Sequence, residues 1–177
     1  MDSASGESLA AIIKDAVQRA ERGEMTISEA VALVPAGAIG AFLHATFASH
    51  EARPAVLLTT ALGASPGAAA GEIVFNADDA IDAADEGRSV ILVRNETTPD
   101  DVLGMQSARG ILTTRGGITS HAAVVARGWG IPAVVGAGEM LIDEEGLHVG
   151  ELVLRAGTEI SIDGRTGEVL LGSTATT

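Results

Sequence analysis

Between Glu72 and Val135 short aliphatic runs alternate with segments of helical spacing, and this alternation limits the chain to a small set of folds. The run Ser89-Val90-Ile91-Leu92-Val93-Arg94 is apolar throughout its centre, the pattern of a buried strand. Glu72–Phe75, Gly110–Thr113 and Pro132–Val135 predict three more short strands. Asp78–Glu86, stopped by Gly87, predicts a helix between the first two of these four. Thr98-Pro99-Asp100-Asp101 reads as an N-cap followed by proline at the first helical position, opening a helix to about Ala108, and His121–Arg127 predicts the third. Glu151–Arg155, Glu159–Ile162 and Glu168–Leu171 then alternate like strands, with Asp163-Gly164 marking the tight turn between the last two. The expectation is an α/β fold built in layers, without internal repeats.

The chain ahead of this region is different. Residues 1–10, rich in Ser, Gly and acids, read as a frayed lead-in. Leu9, Ile12, Ile13, Ala16, Val17 and Ala20 follow helical spacing until Gly23. Thr26-Ile27-Ser28-Glu29 matches a capping box and predicts a second helix through about Val34, ended by Pro35. Ile39–Phe47 predicts a third, with Phe42, Leu43 and Phe47 on one side. Glu51–Pro54 reads as a linker, and Leu62–Gly71 as a turn-rich stretch of small residues. The expected division is a helical linker or appendage over 1–60, a layered domain over 61–172 and a disordered tail over 173–177.

Composition closes several functional classes. The absence of Cys removes disulfides, thiolate metal sites and cysteine nucleophiles. A net charge of −13, with Lys14 the only lysine, repels phosphate backbones and anionic lipid, so neither nucleic acid nor a membrane surface is an expected partner. Charged residues, Gly and Pro interrupt every apolar stretch before the roughly 18–20 residues that a span requires. The acidic N-terminus lacks a secretory pattern, and the chain reads as a soluble cytoplasmic protein.

The stretch from Gly110 to Gly128 carries the most chemistry. A strand runs into Gly116-Gly117, then into the polar residues Thr119, Ser120 and His121, then into a helix of small side chains. Such a junction gathers backbone N–H groups and the positive end of a helix dipole, which suits an anion. Arg115 and Arg127 add local positive charge. His121 offers a neutral imidazole nitrogen able to attack phosphorus. From residues alone its role stays open between nucleophile and capping or packing residue. Gly116-Gly117 lacks the spacing and the lysine of a nucleotide-cradling loop.

Other features read as structural. His44 and His50 are six apart and do not share a helix face, His148 near Asp143, Glu144 and Glu145 reads as a solvated loop, and no metal site is expected. Asp78, Asp79, Asp82, Asp85 and Glu86 form a solvated acidic face. Glu96, Asp100 and Asp101 read as caps, or as residues that orient the loop opposite His121.

Gly116-Gly117-Ile118-Thr119-Ser120-His121-Ala122-Ala123 closely resembles the hallmark of the phosphohistidine domain of the dikinase branch of phosphoenolpyruvate-utilising enzymes, a G-G-x-T-S-H-A-A segment. Gly63–Ala69, Glu96–Asp101, Gly104-Met105 and Asp163–Val169 resemble further family segments in the same order, and Thr26–Phe47 resembles the connection that precedes this domain. Ile118 and Trp129 stand where methionine is common in the family, and Ala133 where cysteine is common. The resemblance implies a swivelling β/β/α domain with a small N-terminal helical segment. It implies that His121 takes a phosphoryl group derived from the β-phosphate of ATP, through a pyrophosphorylated state, and delivers it to pyruvate to form phosphoenolpyruvate. Arg115, Gly116, Gly117, Thr119, Ser120 and Arg127 would bind phosphate or position the ring, and Thr119 would be a site of regulatory phosphorylation. Mg2+ and ATP would be held mainly by an ATP-grasp partner domain, and pyruvate by a barrel domain, in the same or separate chains, so that this chain alone would not complete the reaction. Two alternatives are a non-catalytic interaction or regulatory domain of the same fold and a carrier of a phosphoenolpyruvate synthase-like system.

Overall fold

The computed structural model describes residues 4–34 and 56–174, which fall into two compact units. Pro35, the expected helix Ile39–Phe47, the linker Glu51–Pro54, His44 and His50 lie outside the described residues.

The first unit contains α1 (Ala4–Glu21) and α2 (Ile27–Ala32). The helix thus begins inside the expected lead-in, where Ala4-Ser5-Gly6-Glu7-Ser8 contains no proline to break it. Gly23, at φ +73°, ends α1: its N–H donates to Ala20 O at 3.0 Å, and that of Glu24 donates to Arg19 O at 2.9 Å. The capping box forms as the sequence predicts. The Thr26 N–H donates to Glu29 Oε2 at 2.8 Å, and the Glu29 N–H to Thr26 Oγ1 at 3.2 Å. These bonds hold the Glu29 carboxyl below its usual range, so their contribution is present above the unfolded-state pKa and is lost as pH falls through the folded one.

The second unit is a β/β/α sandwich. An eight-stranded sheet runs in the order β1-β11-β10-β3-β4-β5-β6-β2. Its strands are β1 (Val56–Thr60), β2 (Leu62–Ser65), β3 (Ala68–Val74), β4 (Val90–Arg94), β5 (Gly110–Thr113), β6 (Ala133–Val135), β10 (Glu159–Asp163) and β11 (Glu168–Leu171). β3, β4, β5 and β6 are parallel, and the strands flanking them are antiparallel. The crossovers carry α3 (Ala77–Asp85), a 3-10 turn (Pro99–Asp101) leading into α4 (Val102–Ser107), and α5 (His121–Trp129). A three-stranded sheet, β7 (Met140–Ile142), β8 (Leu147–Val149) and β9 (Leu152–Leu154), forms the third layer.

The period-two rule explains the layering. Along β4, Val90 and Leu92 pack with Ala80, Ala83, Met105, Ala122 and Ala126 of the helices, while Ile91 and Val93 face Met140, Leu147 and Leu154 of the small sheet. These four residues of β4, Val90 to Val93, are fully buried, which is why the run reads as continuously apolar. Each such side chain contributes about 1.5–3 kcal/mol.

Four expectations change. Val56–Thr60 pairs with β11, so the sheet begins ahead of Ala61. Thr174 is buried and its N–H donates to Ser161 Oγ at 2.9 Å, which ties down the start of the expected tail. Leu62–Gly71 forms β2 and most of β3, because its small residues serve close packing: a Cβ on Gly71 would lie 2.5 Å from Ser89 O, and one on Gly63 2.6 Å from Gly164 O. His148 sits in β8, half-buried and opposite Leu141 and Val153. Its Nε2 is 2.8 Å from Asp143 Oδ1, although the ring nitrogen makes no aligned hydrogen bond. His148, then the N–H groups of Glu145 and Gly146, hold the Asp143 carboxyl below its usual range.

Candidate functional site

The site lies beyond the C-terminal ends of β4 and β5, where parallel sheets expose their loops. Past β5 the chain stays tied to the β4 end: the Thr114 N–H donates to Arg94 O at 3.0 Å and the Arg115 N–H to Asn95 O at 2.9 Å. The Thr114 hydroxyl donates to Asn95 Oδ1 at 2.8 Å. Gly116 then turns at φ +98°, a conformation open mainly to glycine, and a Cβ there would crowd Ser120 at 3.0 Å. The Gly116 carbonyl also faces Gly136, whose own Cβ would approach it to 2.6 Å. Gly117 has open space around it.

Ser120 is the N-cap of α5, with extended backbone, and its Oγ accepts the Ala123 N–H at 3.4 Å. The cap starts the helix at His121. Ala122, Ala123 and Ala126 are buried against the sheet, so small side chains let α5 sit close while His121 remains half-buried at its N-terminus. The ring has one protein partner among the described residues: Nδ1 is 3.0 Å from Thr97 Oγ1. Nε2 is left as the free edge.

Thr97 is buried in the β4–α4 loop and is the site residue that the sequence reading did not single out. Its signal was the Glu96–Asp101 segment itself. Asp101 does act as a cap, accepting the Thr98 N–H at 2.8 Å.

The structure brings Gly116, Thr119, Ser120 and His121 together on one short turn, with Thr119 exposed at the helix approach. Arg115 is exposed, and its side chain has no partner among the described residues. Arg127 behaves differently from a free cation. Its Nη1 donates to Ala64 O at 3.0 Å and its Nη2 to Ile118 O at 2.7 Å, so it clamps the loop ahead of His121 to β2. No group of three or more His, Cys, Asp or Glu that could hold a metal occurs among the described residues. No helix among them is long and apolar enough to cross a membrane.

Residues 87–167 match the family model described as PEP-utilising enzyme, mobile domain. Over 162 residues the chain is 51% identical to a pyruvate, phosphate dikinase of Rhizobium meliloti, an alignment covering 90% of this chain and 18% of that protein. It is 46% identical over 162 residues to pyruvate, phosphate dikinase 2 of Zea mays, again 90% of this chain and 18% of the relative. With a pyruvate, phosphate dikinase of Clostridium symbiosum it shares 45% identity over 168 residues, 94% of this chain and 19% of the relative. The chain thus spans about a fifth of the length of the curated relatives it matches. With its layered fold and its glycine-rich turn into α5, this chain resembles the PEP-utilising enzyme mobile domain over residues 87–167 and the corresponding segment of the pyruvate, phosphate dikinases.

Proposed function

We propose that the chain is a phosphohistidine carrier of the pyruvate, phosphate dikinase type, with His121 Nε2 as the atom that carries the phosphoryl group. The observation that supports this most is the ring's geometry at the N-terminus of α5: Thr97 engages Nδ1, and Nε2 has no hydrogen-bond partner among the described residues. When Nδ1–H donates to Thr97 Oγ1, the Nε2 lone pair is free. It forms the N–P bond while the bond from phosphorus to the leaving phosphate oxygen breaks, and that oxygen keeps the electron pair. The added positive charge on the ring stays hydrogen-bonded to Thr97. The first N–H groups and dipole of α5 stabilise the phosphoryl oxygens, and Arg115 is the free cation nearest in sequence.

ATP, Mg2+ and pyruvate belong to partner domains in this reading. The residues around His121 offer neither an acidic cluster nor a lysine, so they do not fit a resident metal–nucleotide site, and no step at His121 is assigned to a metal. A phosphate on Thr119 would place negative charge two residues from the ring and repel the incoming group, which makes Thr119 the proposed regulatory position. Cytoplasmic location accords with this chemistry.

The test supplies the chain with an ATP-binding partner domain of a dikinase and ATP labelled at the β-phosphate. The expected product is a labelled chain whose label is lost in acid and kept in alkali, as a phosphoramidate requires. An acid-stable ester, or no label at all, contradicts the carrier reading and leaves a non-catalytic docking domain.

Two variants refine it. Thr97→Val removes the hydroxyl but keeps the shape, and transfer falls about tenfold for one lost hydrogen bond. Thr97→Ser restores it, and equal rates for Val and wild type would remove Thr97 from the mechanism. Arg127→Met frees the Ile118 and Ala64 carbonyls, which also slows transfer about tenfold and lowers stability by about 1 kcal/mol. A chain in which Arg127 acts only as a cation toward phosphate would lose transfer and keep its unfolding temperature.

A further inference from the structure

Thr97 is held by a charged pair that never reaches the imidazole. Arg94, at the end of β4, donates from Nη1 to Phe75 O at 3.1 Å, and its Nη2 lies 3.2 and 3.4 Å from the two Asp101 oxygens. Asp101 is only 4% exposed, and its Oδ2 also accepts the Thr98 N–H at 2.8 Å and the Thr98 hydroxyl at 3.2 Å. From the other side, Asn95 accepts the Arg115 N–H at 2.9 Å and the Thr114 hydroxyl at 2.8 Å. Residues 95–98 are thereby fixed at both ends, with Thr97 between them and its Oγ1 3.0 Å from His121 Nδ1.

Capping alone does not require this arrangement. A neutral Ser or Asn accepts an N–H as well as Asp does, whereas a buried carboxylate must be compensated by its partner. A charged acceptor does shorten and strengthen the bonds it receives, which narrows the positions open to the loop. We propose that Arg94 and Asp101 are positioning residues that hold Thr97 where its hydroxyl accepts Nδ1–H, which selects the ring tautomer with an unprotonated Nε2. The proposal rests on the reading of His121 as the nucleophile, and it concerns residues that touch neither phosphate nor ring.

The tautomer can be read by 15N NMR on the full chain, without partner or nucleotide, at a pH where the ring is neutral. In the wild-type protein the proton is expected on Nδ1. Asp101→Asn keeps an acceptor for the Thr98 N–H but removes the charge opposite Arg94. The Nε2–H share is expected to rise, and phosphoryl uptake to fall about tenfold. The double variant Arg94→Met with Asp101→Asn leaves no charge unpaired, so it guards against loss of the fold while giving the same shift in tautomer. An unchanged tautomer in the folded double variant overturns the proposal, as does a wild-type ring protonated on Nε2. A tautomer that shifts as expected in a chain that never takes up phosphate supports the positioning role and sinks the nucleophile reading instead.

Discussion

The His121→Ala chain folds normally and takes up no phosphoryl group. His121 is half-buried, and the bonds that build its turn belong to other residues: the Ser120 cap, the Gly116 turn and the Arg127 clamp. Alanine is the best helix former at the vacated position, and loss of the half-buried ring leaves the Thr97 hydroxyl a space in which water can replace its partner. Stability should therefore stay within about 1 kcal/mol of wild type. Chemistry has no such alternative, because no cysteine is present and a neighbouring Ser or Thr would give an acid-stable ester. Label incorporation and thermal unfolding measured on the same preparation separate the two effects. Wild-type labelling of the alanine variant would move the phosphoryl site elsewhere.

The largest structural effect should come from a position outside the site. Gly164 follows β10, and a Cβ there would collide with the Ser65 carbonyl oxygen and lie 2.8 Å from Ala133 N. Both obstacles are backbone, in β2 and β6, and neither can rotate away as a side chain would. Gly164→Ala must therefore spread strands, at about 3–5 kcal/mol, more than ordinary overpacking. For a domain of this size that lowers the unfolding temperature by roughly 10–20 °C. Gly117→Ala is the control, since nothing lies within 4 Å of the added methyl, and it should be close to neutral in stability. Equal melting of the two variants would show that the strand crossing at Gly164 is looser than described.

Much of the fold is legible because it rests on local chemistry. The β4 run, the Thr26 capping box and the start of α5 at His121 are each fixed by a few adjacent residues, and sequence reading finds them at or near their observed positions. β2 and the start of β3 were hidden. Their Gly and Ala residues look like turn formers, yet they are small because other backbone passes within a few ångströms, a fact of tertiary packing alone. The strand carrying His148 was hidden for a related reason: three residues between an acidic turn and Gly150 are too few to show a period. At the site, His121 and its glycine turn were legible from their own segment. Thr97 lies 24 residues away in sequence, and only the parallel pairing of β4 with β5 brings its loop to the ring. Arg127 was visible as a charge, but its use as a clamp on two carbonyls depends on where β2 runs.

The central claim concerns a single nitrogen atom. Phosphorylated chain with 15N in its histidine rings, examined for coupling between 15N and 31P, identifies that atom directly. Coupling to Nε2 of His121, with Nδ1 still carrying its proton toward Thr97, is the result that the geometry predicts. Coupling to Nδ1, or phosphorus on any other residue, would contradict it.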